Sequence, residues 1–328
     1  MRWISVLLTL AAALAAAPAQ AADRTYRIYM ITWRGITDVE RGFQGYLAER
    51  GLTVEYLVRD AGQEPGRLPG FAAEIKRLKP DLVYTWGTTV TLGIAGPWDG
   101  VDPARHVTGI PVVFTLVAAP VGARLVPGLA SSRRNLTGVS HLAATAAQVA
   151  AMRAYHPFKN LGVLYNAAEE NSQAGVRELR ALASGSGFKL IEKTFATDGQ
   201  GKPAAAGIEE RIRELKAAGA QWLYIGPDSF LYTQIGRVAA AARAARLPTF
   251  ATTEAAADAP GILAGLVSHY VSVGQFTGYK AEQVLRGTRP QDIPVETLAR
   301  FSLVVRMEVA RELELLPPLA MFNYAEFR

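Results

Sequence analysis

The sequence contains no cysteine, and that absence removes several classes at once. Disulfides are excluded, as are cysteine-based metal sites and a lipid anchor on a cysteine after an export signal. Only four histidines occur in 328 residues, His106, His141, His156 and His269. None has a metal-ligand spacing, so each is expected as a surface or capping histidine, and neither metal nor cofactor is expected. Basic residues outnumber acidic ones, 35 against 29, for a formal charge of +6, yet they form no stripe. The densest cluster, "SSRRN", is too small to suggest a nucleic-acid partner, and none is expected. There is no Walker A loop, no G-x-S-x-G elbow, and no G-x-G-x-x-G opening a helix after a strand. Acids occur at strand ends without a base or nucleophile beside them, so no catalytic residue is assigned and the chain is not expected to be an enzyme.

Only one stretch of the chain is long and apolar enough to suggest a membrane. Arg2 is followed by the uncharged run "WISVLLTLAAALAAA", then Pro18 and "AQA" at Ala19 to Ala21. A short basic start, an apolar run and small residues before a cut describe a secretory signal, predicted to cover residues 1–21. An uncleaved anchor is the alternative, because the run approaches the ~20 residues that span a bilayer. Pro18 and the A-x-A site favour cleavage. The expected product is a soluble periplasmic protein that is not a lipoprotein.

Half of the residues are hydrophobic, enough for two cores. Strand-like runs alternate with amphipathic helices, which predicts mainly parallel sheets with helices on both faces. The plan is used twice. "NLGVLYN" answers "YRIYMITW", "IRELKAAGAQWLYIGPDS" answers "IKRLKPDLVYTWGTT", and "RLPTFATTE" answers "GIPVVFTLV", at an offset of roughly 140 residues. Two similar doubly wound α/β lobes follow. The closing sections, from "VSHYVSVGQ" onward, fit as crossings that complete the lobes alternately, giving three hinge strands. The predicted division is residues 22–139 plus 271–295 for one lobe and 140–268 plus 296–328 for the other.

In such sheets ligands bind outside the carboxyl ends of the strands. Those ends carry Thr32-Trp33-Arg34, Trp86 to Thr89 and Thr115 to Pro120 in the first half. The second half offers Tyr165-Asn166, Gly226 to Phe230 and Thr252-Thr253-Glu254. Aromatics, hydroxyls, an amide and acids suit a polar small molecule held between two lobes. Asp228 has two readings: a clamp for a cationic ligand group, or the N-cap of the helix after it, and a cap facing the cleft can serve as both. Trp33 and Trp86 could stack on a planar or cationic ligand, or pack internally. Thr137 and Ser140 could bond a ligand carboxylate, and Gly138 is expected to serve a backbone bend. Arg34 could pair with a ligand carboxylate or stay solvated.

The motifs "IPVVFTLVAAPV", "NLTGVS", "LGVLYNAAEENS", "YIGPDSF", "YVSVGQFTGYKAEQVLRG" and "FSLVVRMEVA" occur in one order along the chain. In this the chain resembles the ABC-transporter substrate-binding proteins that include tryptophan- and tyrosine-binding receptors. The resemblance implies the type I periplasmic-binding fold and a monomeric receptor that hands an amino-acid-like molecule to an inner-membrane permease. It implies ligand contacts at Thr88, Thr89, the Ala118–Pro120 turn including Ala119, Asn166, the region from Glu170 to Ser172, Asp228, Ser229, Thr253 and Glu254. Many relatives carry an aspartate where this chain has Ala119, before Pro120. A sensory module for a membrane kinase would share these features, and an exported α/β enzyme using Asp228, Glu254 and a histidine is the more distant alternative.

Overall fold

The computed structural model describes residues 24–328. The expected signal segment, residues 1–21, lies outside the described residues. The first lobe opens with β1 (Tyr26–Thr32), α1 (Asp38–Glu49), β2 (Val54–Asp60), α2 (Leu68–Leu78), β3 (Leu82–Trp86), α3 (Gly87–Ala95), β4 (Val112–Thr115) and β5 (Leu136–Ser140). The second lobe runs through α4 (Thr145–Tyr155), β6 (Asn160–Tyr165), α5 (Glu170–Ser186), β7 (Lys189–Thr194), a small hairpin of β8 (Ala196–Thr197) and β9 (Pro203–Ala204), α6 (Ile208–Ala217) and β10 (Trp222–Ile225). It continues with α7 (Ser229–Thr233), α8 (Ile235–Ala244), β11 (Thr249–Ala251), α9 (Glu254–Ala257) and β12 (Ala264–Val267). The chain then returns to the first lobe for α10 (Tyr270–Leu285) and β13 (Glu296–Thr297), and ends in the second with β14 (Ser302–Val305), α11 (Met307–Glu312) and β15 (Glu326–Phe327).

The two main sheets are separate. One has the order β13-β5-β4-β3-β1-β2, and the other β15-β14-β12-β11-β10-β6-β7. The first is parallel throughout, and the second is parallel except where β14 runs against β12. Helices cover both faces of each sheet, so the central strands are buried on both sides and read as apolar runs rather than alternations. In β3, Leu82, Val83 and Tyr84 are all fully buried.

Local signals start the elements where the sequence placed them. Thr37 caps α1, its backbone N–H donating to Glu40 Oε2 at 2.8 Å while its hydroxyl accepts from Val39 N–H at 3.3 Å. The returning helix α10 lies against α1 at very close range. A Cβ built on Gly274 would stand 2.0 Å from the Val39 carbonyl oxygen, so only glycine allows this approach. The buried Lys280 of α10 donates from Nζ to Glu296 Oε2 at 2.7 Å and to the Pro294 carbonyl at 2.6 Å, tying the helix to β13.

The chain passes between the sheets three times, at residues 141–144, 268–269 and 298–301. Ser140, Glu296 and Thr297, expected in the second lobe, lie in the first sheet, where Glu296 pairs with Val139 and Thr297 with Ser140. Backbone pairing extends each strand a residue or two past the composition boundary. Gly138 serves a different purpose from the expected bend. Its φ is ordinary, but a Cβ there would meet the Phe114 carbonyl oxygen at 2.3 Å, so it permits close strand packing.

Candidate functional site

The strand ends of the two sheets face one another across a single cleft. The first lobe supplies Trp33 and Arg34 after β1 and Trp86 to Thr89 where β3 runs directly into α3. The second supplies Glu169 and Asn171 at the start of α5, Asp228, Ser229 and Tyr232 around α7, and Thr253 before α9. Tyr270, at the head of the hinge helix, closes the back.

The cleft is unusual in its unsatisfied polar atoms. Trp33 Nε1, Trp86 Nε1, Thr88 Oγ1, His141 Nδ1 and Asn171 Oδ1 are all buried without a hydrogen-bond partner, and all five residues line this one space. A buried polar group left unpaired costs about 1–3 kcal/mol. Five converging on one cavity are two indole donors, an amide acceptor, a hydroxyl and an imidazole nitrogen that donates or accepts with its tautomer, open to a complementary molecule. The first turn of α3 adds to them, since Trp86 occupies its N-cap position and no side chain caps the helix. Its free N–H groups at Gly87 to Thr89 suit an anionic group.

Asp228 answers to the cap reading. Its Oδ1 accepts from Leu231 N–H at 2.8 Å, capping α7. Its Oδ2 accepts from Asn166 N–H and from the Ser172 hydroxyl, each at 2.6 Å. Both oxygens are thus engaged by the protein, and the carboxylate is the clip that joins the β6 and β10 strand ends. Burial pushes its pKa up against these three donors.

The less encumbered carboxylate of the cleft is Glu169, with one donor on each oxygen against three on Asp228. Ser229 holds it from one side, with N–H to Oε2 at 2.9 Å and hydroxyl to Oε1 at 2.5 Å. Burial, with the charge of Asp228 beside it, pushes the Glu169 carboxyl up to about 7. Asn171, which also lines the cleft, donates its side-chain N–H to the Pro227 carbonyl at 2.6 Å and leaves its oxygen buried without a partner. Together they form an acceptor pair suited to an ammonium group.

The expected residues divide accordingly. Trp33, Trp86, Thr88, Thr89, Asp228, Ser229 and Thr253 line the cleft, with Thr89 and Asp228 on facing walls. Five do not. Asn166 and Ser172 contact Asp228 instead of the cleft. Glu170 faces outward and pairs with Arg177 at 2.6 Å, since it is the first helical residue of α5 while Glu169, the extended N-cap residue before it, lines the cleft. Glu254 is a hinge strut, accepting from Tyr270 N–H at 2.6 Å and pairing with His269 Nδ1 at 2.6 Å. Ala119 lies in a neighbouring crevice beside Pro120, which shares Ala118, Asn171 and Pro227 with the cleft. The hydroxyls of Thr137 and Ser140 are likewise taken, by the carbonyls of Ile293 at 2.9 Å and Ala118 at 3.2 Å.

Sequence reasoning missed Glu169, Tyr232 and His141, whereas Asn171 falls inside the Glu170–Ser172 region that the resemblance implied. The tandem acids of "AAEENS" at the start of a helix were the available signal for Glu169, with Asn171 following in the first turn. His141 was expected at the surface or as a cap. It is 4% exposed, and burial lowers its pKa to about 3, so it stands in the cleft wall as a neutral ring. Among the described residues no group of three or more His, Asp or Glu side chains could hold a metal ion.

Two lobes with mainly parallel sheets, three crossings between them and a polar cleft at the facing strand ends define a type I periplasmic-binding architecture. Residues 28–326 match the family model described as ABC transporter substrate binding protein, and the chain belongs to that family. It is 27% identical over 282 residues to a tyrosine-binding protein of Clostridioides difficile, covering 84% of this chain and 76% of that one. Its fold is shared with a conserved domain protein from Vibrio cholerae at a TM-score of 0.80, with 23% identity over 93% of this chain and all of the other. It is shared also with an ABC domain from Streptococcus pneumonia in complex with L-Trp, at a TM-score of 0.76 and 23% identity, covering 92% and 99% of the two chains. Among the described residues no helix is long and apolar enough to cross a membrane.

Proposed function

We propose that this protein is the periplasmic receptor of an ABC importer and that it captures an amino acid or a closely related zwitterion between its lobes. The five unpartnered polar atoms around the cleft carry this reading. The second lobe offers acceptors, the Glu169 carboxylate and Asn171 Oδ1, to an ammonium group. The first offers donors, the two indole N–H groups and the first turn of α3, to a carboxylate. Neither lobe can satisfy both ends of such a molecule, so binding rewards closure about the crossings after Ser140, Val267 and Thr297. The family and the ligands named for the tyrosine-binding and L-Trp-bound relatives support the class. The expected form is a monomer with the signal segment removed, which presents its closed shape to an inner-membrane permease.

Native mass spectrometry of protein purified without refolding, followed by thermal shift against the common amino acids and their aromatic derivatives, tests this. A useful receptor binds at micromolar or tighter, about −8 kcal/mol, which raises the melting temperature measurably at millimolar ligand. No adduct and no shift across the panel would overturn the reading.

A further inference from the structure

Arg34 spans the cleft. It leaves the first lobe after β1, and its guanidinium carbon lies 3.8 Å from the ring centroid of Tyr232, in the second lobe. On its own side the Trp86 ring centroid is 5.2 Å away. The side chain is half-buried, and among the described residues the groups that meet its guanidinium are the Trp86 and Tyr232 rings rather than a carboxylate. Its neighbours are aromatic faces from both walls of the cleft, so a ligand seated between Trp86 and Tyr232 meets this side chain.

A partly desolvated guanidinium with five N–H donors and no anion is a directional, unfilled charge. Stacking on two rings holds it in place without supplying a hydrogen-bond acceptor. The acidic groups of the cleft are on the opposite lobe and are held by Ser229, Leu231, Asn166 and Ser172. The geometry points to Arg34 as the residue that makes this receptor select for a carboxylate-bearing ligand: it bolts the empty cleft by stacking on Tyr232, and it swings onto the ligand's carboxylate when one enters. This rests on the cleft being the ligand site. A cationic ligand without a carboxylate would have to displace Arg34 and then share the cleft with its charge, so amines are rejected. A carboxylate instead gives the guanidinium the bidentate partner it lacks.

Two measurements test the assignment, on the wild type and on Arg34→Gln and Arg34→Lys. The first is calorimetric titration with L-tryptophan and L-tyrosine against their decarboxylated counterparts, tryptamine and tyramine. The wild type is expected to prefer the acids by about tenfold or more, the lower end of a charge-assisted pair. Arg34→Gln should abolish most of that preference, and Arg34→Lys should retain part of it while losing the planar fork. An unchanged preference in Arg34→Gln overturns the proposal. The second needs no ligand: small-angle scattering and tryptophan emission of the empty protein. Arg34→Gln should enlarge the radius of gyration and alter the emission of Trp86, and no change in either would remove the bolt. If none of the four probes binds the wild type, the aromatic amino-acid reading of the cleft falls, and the scattering result still decides whether Arg34 spans it.

Discussion

Replacing Asp228 by alanine separates a structural clip from a ligand clamp. In the structure its carboxylate accepts three hydrogen bonds, from Leu231 N–H, Asn166 N–H and the Ser172 hydroxyl. Losing the cap costs about 1 kcal/mol. Leaving the other two donors without an acceptor adds about 1–3 kcal/mol. The change also relieves the repulsion that raises Glu169, which offsets part of the loss. The net expectation is a destabilisation of about 2–3 kcal/mol in the ligand-free protein. Ligand affinity should fall by less, because the carboxylate is already held by three protein donors and the loss comes through slackened Ser229 and Glu169 positions. Urea denaturation at pH 7 gives the first quantity and calorimetric titration the second. If stability is untouched while affinity drops tenfold or more, the carboxylate meets the ligand directly and the reasoning from its hydrogen bonds is refuted. The same protein gives an independent check: without the Asp228 charge, the pKa of Glu169 should move down.

Thr88→Val should leave ligand-free stability unchanged or slightly raised, since it removes a buried hydroxyl that has no partner, yet weaken ligand binding by about 0.5–1.5 kcal/mol. Denaturation midpoints and calorimetry on the same preparation show whether the two effects part. Glu169, raised from 4.5 to about 7, holds its proton more tightly in the folded state than in the unfolded chain, so its contribution to ligand-free stability falls as pH rises from about 4.5 to about 7 and is flat above. Over the same window affinity for an ammonium-bearing ligand should rise and binding should release protons, seen as a dependence of calorimetric heat on buffer; Glu169→Gln should remove both trends. Gly274→Ala should destabilise the protein by about 3 kcal/mol through the contact of its Cβ with the Val39 carbonyl, and a thermal melt within a degree of wild type would show that α10 can shift away from α1.

Much of the site was legible because the strand-end rule depends only on chain order. Once β3 and β10 are placed, Trp86 to Thr89 and Asp228-Ser229 must lie at the carboxyl edge of a sheet, and the structure puts both on the cleft walls. Where the expectations failed, the failure came from side-chain direction. Glu169 and Glu170 are adjacent in sequence, but one faces the cleft and the other pairs with Arg177 at the surface. Asp228 and Glu254 were both sound as acids at strand ends. Their oxygens are taken by Asn166 N–H and the Ser172 hydroxyl for Asp228, and by Tyr270 N–H and the His269 ring for Glu254, partners whose positions depend on how distant strands and the hinge come together.

The sequence by itself determined the alternating α/β plan and its duplication, because hydrophobic period, capping and turn residues act over a few neighbours. Only the tertiary structure decided which polar groups remain unpaired. That is a property of the whole set of contacts, since a donor is satisfied or orphaned according to what the rest of the fold brings within about 3 Å of it. The cleft of Trp33, Trp86, Thr88, His141 and Asn171, and the bridge from Arg34 to Tyr232, exist because two lobes built from separate stretches of chain close face to face.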